Sequence, residues 1–272
     1  MTSNGRWNGP KNTGQTILMM RIDRLCLCDN GTAFAFTTER GYAGNSGPYS
    51  EFNCCDYTGD SPEHVAMSRD KLCNALGIPA ERLITARQVH GTDVAIISDY
   101  NQRAGEADAL VTNLQGIAIG IFTADCVPML FYDNEADVIG AAHAGWKGTM
   151  NGIAANTIKA MSALGASAGN IQAAFGPSIC QECFEVGDEV VEQFRERGLP
   201  LDKIMRRNKS TGKAHIDLVE ANIFWMEKCG IDKNNILRSQ LCTKCNPSRF
   251  FSARALGTES GRNLTGILIK TR

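Results

Sequence analysis

Two apolar runs dominate the middle of the chain. Ile117 to Phe122 and Val138 to Ala142 are short, continuous and without helical period, the pattern of buried strands. Each ends in reactive groups: the first in Thr123-Ala124-Asp125-Cys126, the second in His143. The pattern predicts that the two runs are neighbours. Gly145-Trp146-Lys147-Gly148 then opens a helix, which places Met150, Ile153, Ala154, Thr157, Ile158, Met161 and Leu164 on one face before Gly165 stops it.

The rest of the pattern is mixed. Ile22–Leu27 and Ala33–Thr37 flank Asp29-Asn30-Gly31, a hairpin signal, and Tyr42 to Pro48 is a glycine-rich loop. Ser61-Pro62-Glu63 starts a helix with an N-cap serine and a proline at its first position, and Gly77 ends it. Further strands are predicted at Leu83–Val89, Val94–Ser98, Ala109–Thr112, Ile171–Phe175, Leu237–Leu241 and Ile267–Lys270. Two more helices are predicted, one opening at Gly187-Asp188 and one from Asp217, with Glu220 completing a capping-box start, to about Lys228. Strands and helices interleave without a regular βαβ repeat. This predicts an α+β fold of mixed sheets with flanking helices in a single compact domain over residues 17–272. Residues 1–16, polar and rich in Gly and Asn, read as a disordered extension.

Composition narrows the class. The 272 residues are 43% hydrophobic and 21% charged, with formal net charge −1, so no basic field suggests nucleic acid and no run is long enough to cross a membrane. Eleven cysteines without a secretion signal read as reduced thiols or metal ligands, which places the protein in the cytoplasm.

The chemistry centres on three residues. Of four histidines, His90 and His143 lie beside glycines at strand ends, and Cys126 lies at another strand end. Two imidazoles and a thiolate suit zinc, and three ligands with one open position is the pattern of a catalytic site. A buried thiol with two hydrogen-bonded turn histidines is the structural alternative. Asp125 suits either a proton-moving acid/base or a turn-capping, ligand-orienting carboxylate. Lys147, beside the backbone N–H groups of a helix start, is a phosphate candidate; Arg254 and Arg262 are further anion-binding candidates, and Asn53 a hydrogen-bonding one. Cys180/Cys183 and Cys242/Cys245 form two CxxC pairs. About sixty residues separate the pairs, against roughly 15–20 in a compact zinc ribbon, so reduced packing thiols are expected rather than a second zinc.

QVHGTDV, GEADALVTN, FTADCVPML, AAHAGWKGT, AAFGPSICQECFEVGDEV and CTKCNPSRFFSAR follow one another in this order. Together they resemble the multicopper polyphenol oxidase (laccase)-like family, also called purine nucleoside phosphorylase laccase-domain proteins, over about residues 30–272. The resemblance implies that His90, Cys126 and His143 bind the metal. It also implies phosphorolysis of adenosine, inosine, guanosine and 5′-methylthioadenosine, and hydrolytic deamination of adenosine. Purine nucleosides and phosphate would then be the small-molecule partners. The chain departs from the family pattern at Ala253 and Ala255, where FFSYRRDGxTGR has an aromatic and a second arginine, and at Tyr57, where NLGLHVGD has a histidine. Blue multicopper oxidases hold their coppers with paired His-X-His ligands. Four histidines with no such pair cannot build that cluster, so zinc is expected before copper. Two other functions use the same residues: a cysteine hydrolase acting on an amide, with Cys126 as nucleophile and a histidine as base, and a non-catalytic metal- or nucleoside-binding protein.

Overall fold

Alternate side chains of the central strands are buried on opposite faces, and that double burial sets the architecture. The computed structural model describes residues 22–25, 32–41 and 47–271. The terminal extension, the Asp29-Asn30-Gly31 turn, Cys26, Cys28 and most of the Tyr42–Pro48 loop lie outside the described residues. The strands in chain order are β1 (Ile22–Leu25), β2 (Ala33–Thr38), β3 (Leu83–Thr85), β4 (Val94–Ile96), β5 (Ala109–Thr112), β6 (Ala118–Thr123) and β7 (Val127–Asp133). They continue as β8 (Val138–Ala144), β9 (Gln172–Phe175), β10 (Glu185–Val186), β11 (Met205–Arg207), β12 (Ala214–Ile216), β13 (Ile236–Leu237) and β14 (Asn263–Ile269). The helices are α1 (Pro62–Leu76), α2 (Trp146–Met150), α3 (Ile153–Ala163), α4 (Asp188–Glu196), α5 (Leu201–Ile204), α6 (Leu218–Lys228) and α7 (Ala253–Leu256).

A five-stranded sheet runs β1-β2-β14-β6-β3, and a six-stranded sheet runs β13-β9-β7-β8-β5-β4. The two share one apolar layer: Ile119, Ile121 and Ile267 from the first sheet pack with Leu110, Leu130, Tyr132 and Ile139 from the second. The outer face of the six-stranded sheet, including Met129 and Phe131, packs on Ile153, Ile158 and Met161 of α3 and on Met226 of α6. On the outer face of the five-stranded sheet, Phe36, Phe122 and Leu268 pack with Leu72 of α1 and with Cys54 and Cys55. The order of layers is therefore helix, sheet, sheet, helices, and the mixed α+β class expected from sequence holds. β10, β12 and β11 form a separate three-stranded sheet that the sequence pattern did not predict. No helix of the described residues is long and apolar enough to cross a membrane.

Local signals place several ends correctly. Ser61 caps α1 by accepting from the His64 N–H, and Gly77 closes it in the left-handed region. Asp217 caps α6 by accepting from the Glu220 N–H. Three expectations are corrected. The two central runs are not sheet neighbours: β6 lies in the five-stranded sheet, and β8 pairs with β7 and β5 in the other. β7 escaped notice because Pro128, its second residue, reads as a strand breaker, although the run is buried as continuously as β6 and β8. The single helix predicted after Gly148 is two: α2 begins already at Trp146, and Gly152, at φ 80°, separates it from α3. The predicted Leu83–Val89 and Leu237–Leu241 strands shorten to β3 and β13.

The layering makes a stability prediction. Leu130 is fully buried between the sheets, so Leu130→Ala is expected to cost about 2–5 kcal/mol in urea unfolding. Met67→Ala on the exposed face of α1 is expected to stay within about 0.5 kcal/mol.

Candidate metal centre

The candidate ligands stand where the chain changes sheets. Between β3 and β4 the chain passes from the five-stranded to the six-stranded sheet, and His90 lies on that passage with φ 59°. Between β6 and β7 it makes the same passage a second time; Asp125 turns it with φ 93° and Cys126 follows. Gln88 ties the passages together, donating to the Phe122 carbonyl at 2.7 Å and accepting from the Phe122 N–H at 2.6 Å. His143 comes from β8 itself, opposite Pro128 of β7.

The three side chains converge. Their ligand atoms all lie within 4.8 Å of one another, with Cys126 Sγ 3.9 Å from His90 Nε2. The two imidazole rings meet edge to face at a centroid distance of 4.8 Å. Gly145 has to be glycine at this point: a Cβ there would sit 2.9 Å from His90 Cδ2 and 3.3 Å from Cys126 Sγ.

One residue that the sequence reading missed organises the site. Asp108, fully buried at the start of β5, accepts from the backbone N–H groups of Val89, His90 and Gly91 at 3.3, 3.0 and 2.6 Å. Its Oδ1 also lies 2.8 Å from His143 Nδ1. Burial alone would raise its pKa, but the bonds from His143 and Gly91 outweigh that and hold the carboxyl below its usual range. An ionised carboxylate only accepts, so Nδ1 of His143 donates to Asp108 and Nε2 is the nitrogen that faces Cys126 and His90, protonated in the metal-free pair and the one that a metal would take on losing that proton. The available signal was an acid at the head of a buried apolar run, where a charge requires a partner.

The electrostatics favour a thiolate. Burial pushes the Cys126 thiol up, but His143, by charge and hydrogen bond, and His90 outweigh it and bring the pKa down to about 6. Burial likewise disfavours charge on His143, and Cys126 and Asp108 override it, raising that pKa to about 9. Two imidazole nitrogens and a thiolate form a borderline-soft donor set that fits zinc. Tetrahedral zinc separates N and S donors by about 3.3–3.6 Å, close to the spacing found here.

The remaining candidates are placed as follows. Asp125 is nearly buried; its Oδ1 accepts from the Thr243 hydroxyl at 2.6 Å and its Oδ2 from the Arg254 N–H at 2.7 Å. The exposed Arg254 guanidinium lies 5.7 Å from the Phe184 ring centroid and 3.4 Å from the Cys183 carbonyl. Arg262 donates to the carbonyls of Thr258, Ser260 and Gly261. The buried Asn53 amide donates to Asp60 and Thr58 and accepts from the Cys55 and Arg262 N–H groups. Lys147 is exposed on the five-residue α2, with Nζ 5.6 Å from the Trp146 ring centroid. A groove of about 520 Å³ at the other end of β6, lined by Arg82, Tyr100, Gly116 and Lys270 among others, includes none of these residues.

Comparison with known proteins places this arrangement among relatives. The family model described as multi-copper polyphenol oxidoreductase laccase matches residues 33–270. "Adenosine deaminase RL5", from an unknown prokaryotic organism, is 46% identical over 245 residues, covering 87% of this chain and 94% of that protein. A "purine nucleoside phosphorylase" of Bacteroides thetaiotaomicron is 38% identical over 261 residues, covering 92% and 96%. The crystal structure of the Bacillus licheniformis hypothetical protein YfiH superposes with a TM-score of 0.82 at 30% identity, covering 89% of this chain and 94% of that one.

Two measurements test the centre. Asp108→Asn removes the charge that orients His143 and is expected to weaken zinc binding about 10–100-fold in a chelator competition assay. In metal-free protein, alkylation of Cys126 followed by peptide mapping is expected to rise as pH increases through about 6, where the thiolate forms. The buried Cys55, its thiol pushed up to about 11, is expected to stay unreactive there.

Proposed function

The chain belongs to the multi-copper polyphenol oxidoreductase laccase family, and on that premise we propose that it is a zinc-dependent enzyme of purine nucleosides. Its reactions are phosphorolysis of adenosine, inosine, guanosine and 5′-methylthioadenosine, and hydrolytic deamination of adenosine. The observation that carries this reading is a His90–Cys126–His143 donor set with one histidine fixed by a buried carboxylate. Relatives named for both activities support it. The family's name speaks of several coppers. With four histidines in the whole chain and, among the described residues, a single two-histidine, one-thiolate cluster, the donor set fits one zinc and no multicopper assembly.

His90, Cys126 and His143 would hold the zinc. When bound, it supplies Lewis acidity and makes a water molecule acidic near neutral pH. Asp108 keeps His143 in the tautomer that presents Nε2 and fixes the His90 turn through three N–H groups. Of the two roles open to Asp125, its bonds to Thr243 and Arg254 support the orienting one: it sets the turn that delivers Cys126. Arg254 and Lys147 have charged ends left for phosphate, on segments tied to Asp125 and following His143. Arg262 and Asn53, engaged with backbone and neighbouring side chains, support the surrounding turns. All nine described cysteines are free thiols, in keeping with a cytoplasmic setting.

A second reading has one observation in its favour. The Cys126–His143 pair, with its lowered thiol and raised imidazole, is also the equipment of a cysteine hydrolase acting on an amide. Zinc-loaded protein incubated with adenosine, with and without phosphate, separates the two. Adenine and ribose 1-phosphate formed only with phosphate establish phosphorolysis, and inosine establishes deamination. Both are expected to vanish in His143→Ala. No product from adenosine, inosine or methylthioadenosine would overturn the nucleoside reading.

A further inference from the structure

We propose that Cys180, Cys183, Cys242 and Cys245 form a second metal centre, a structural tetrathiolate zinc site separate from the His90–Cys126–His143 site.

Sequence distance argued against it, and the sheet removes that objection. β9 and β13 are parallel neighbours, with Ile236 opposite Ala173 and Leu237 opposite Ala174. Parallel strands leave a sheet at the same end, so the chain following each emerges side by side. The first leads to Cys180 and Cys183, the second to Cys242 and Cys245. A parallel bridge between Ser178 and Cys242 extends the pairing to the cysteines themselves, with the Thr243 N–H donating to the Ser178 carbonyl at 3.1 Å.

The sulfur spacing suits a common ligand. All four Sγ atoms lie within 4.8 Å of one another, and Cys183 Sγ is 3.5 Å from Cys245 Sγ. Zinc with Zn–S bonds of about 2.3 Å in tetrahedral geometry sets its sulfurs about 3.8 Å apart. Each pair is a two-residue chelate on a tight turn: the Cys183 N–H donates to the Cys180 carbonyl, and the Asn246 N–H to the Cys242 carbonyl. Cys242 Sγ accepts from the Cys180 N–H at 3.3 Å, the kind of bond that stabilises a ligating thiolate.

Packing does not explain the cluster. Cys54, Cys55 and Cys73 are packing cysteines, buried within an apolar core. None of the four belongs to an apolar cluster; Cys245 is exposed, Cys180 and Cys183 are half-buried, and Cys242 alone is buried. Four thiols converging near the surface gain little from each other as hydrophobes, and an open position is absent because all four coordination sites are filled by protein. Binding would release four protons and leave a net charge of −2, beside Lys244 and the guanidinium of Arg254 near the Cys183 carbonyl.

The site would fix the floor beneath the first centre. Thr243, inside the second chelate, donates to Asp125, and Ile179, just before the first, donates its N–H to the Asp125 carbonyl at 2.9 Å. Asp125 precedes Cys126 directly. The second metal thus clamps the two segments that hold the turn presenting the catalytic thiol.

Metal counting by plasma mass spectrometry on the full chain, purified without chelator, decides the matter. Two zinc ions per chain are expected in the wild type, one in His143→Ala, and one in the double variant Cys183→Ser/Cys245→Ser. Should the double variant fail to fold, cobalt-loaded His143→Ala still answers. It is expected to show the thiolate charge-transfer and strong visible bands of tetrahedral tetrathiolate cobalt. One zinc in the wild type with none in His143→Ala would overturn the proposal, as would peptide mapping that finds these cysteines paired as disulfides. Neither result depends on turnover, so nucleoside activity and this centre stand or fall separately.

Discussion

The carboxylate of Asp108 is the interaction on which the site depends. Fully buried, it takes bonds from three successive backbone N–H groups and from His143. Such a group is costly unless every bond is made, and here the bonds it makes are those that shape the site. Forming the His90 turn and orienting His143 are one event. The strained φ of His90 persists because Asp108 overdetermines it from three sides. The anion in turn sustains the charge on His143, and His143 sustains the thiolate of Cys126. Charge alternates along the line from Asp108 to Cys126, so removing either end disturbs the middle.

Around that line the fold behaves as a frame. The shared layer of Ile119, Ile121, Leu130, Tyr132 and Ile139 locks the two sheets face to face. Close packing of this kind leaves the sheets little freedom to slide and so keeps the two crossings in register. The segments that carry the CxxC pairs hold Asp125 through the Thr243 hydroxyl and the Ile179 N–H. Groups on connections are normally mobile; here the connections are short, the first bonded to the end of β6 through Gln88 and the second to Thr243, Ile179 and Arg254 through Asp125.

Legibility in the sequence followed the range of the forces involved. Ser61, Gly77 and Asp217 act within one helical turn, and their positions were readable. The three donors were readable because histidine and cysteine at strand ends are chemically distinctive. What failed was whatever depended on partners far along the chain. β7 carries Pro128 at its second position, and only its pairing with β8 and β9, far along the chain, shows that a proline is tolerated there. Asp108 looked like an ordinary acid because its four donors come from residues 89–91 and 143. Asn53 offered polar atoms that seemed free for a ligand, yet they are taken up by Asp60, Thr58, Cys55 and Arg262. The CxxC pairs were discounted on separation along the chain, which parallel pairing of β9 and β13 makes irrelevant.

His90 and Cys126 each sit on a strand-to-strand passage from one sheet to the other, and His143 anchors in the second sheet. A cation gripped by all three is therefore a rivet through the seam of the sandwich. Its binding constant and the cohesion of the two sheets are linked quantities, since an ion that binds only the closed sandwich stabilises that state by mass action. Every substitution that loosens the apolar layer, however distant from the three residues, would draw on the same free energy that held such a cation. The hydrophobic core would in that sense be part of the coordination chemistry.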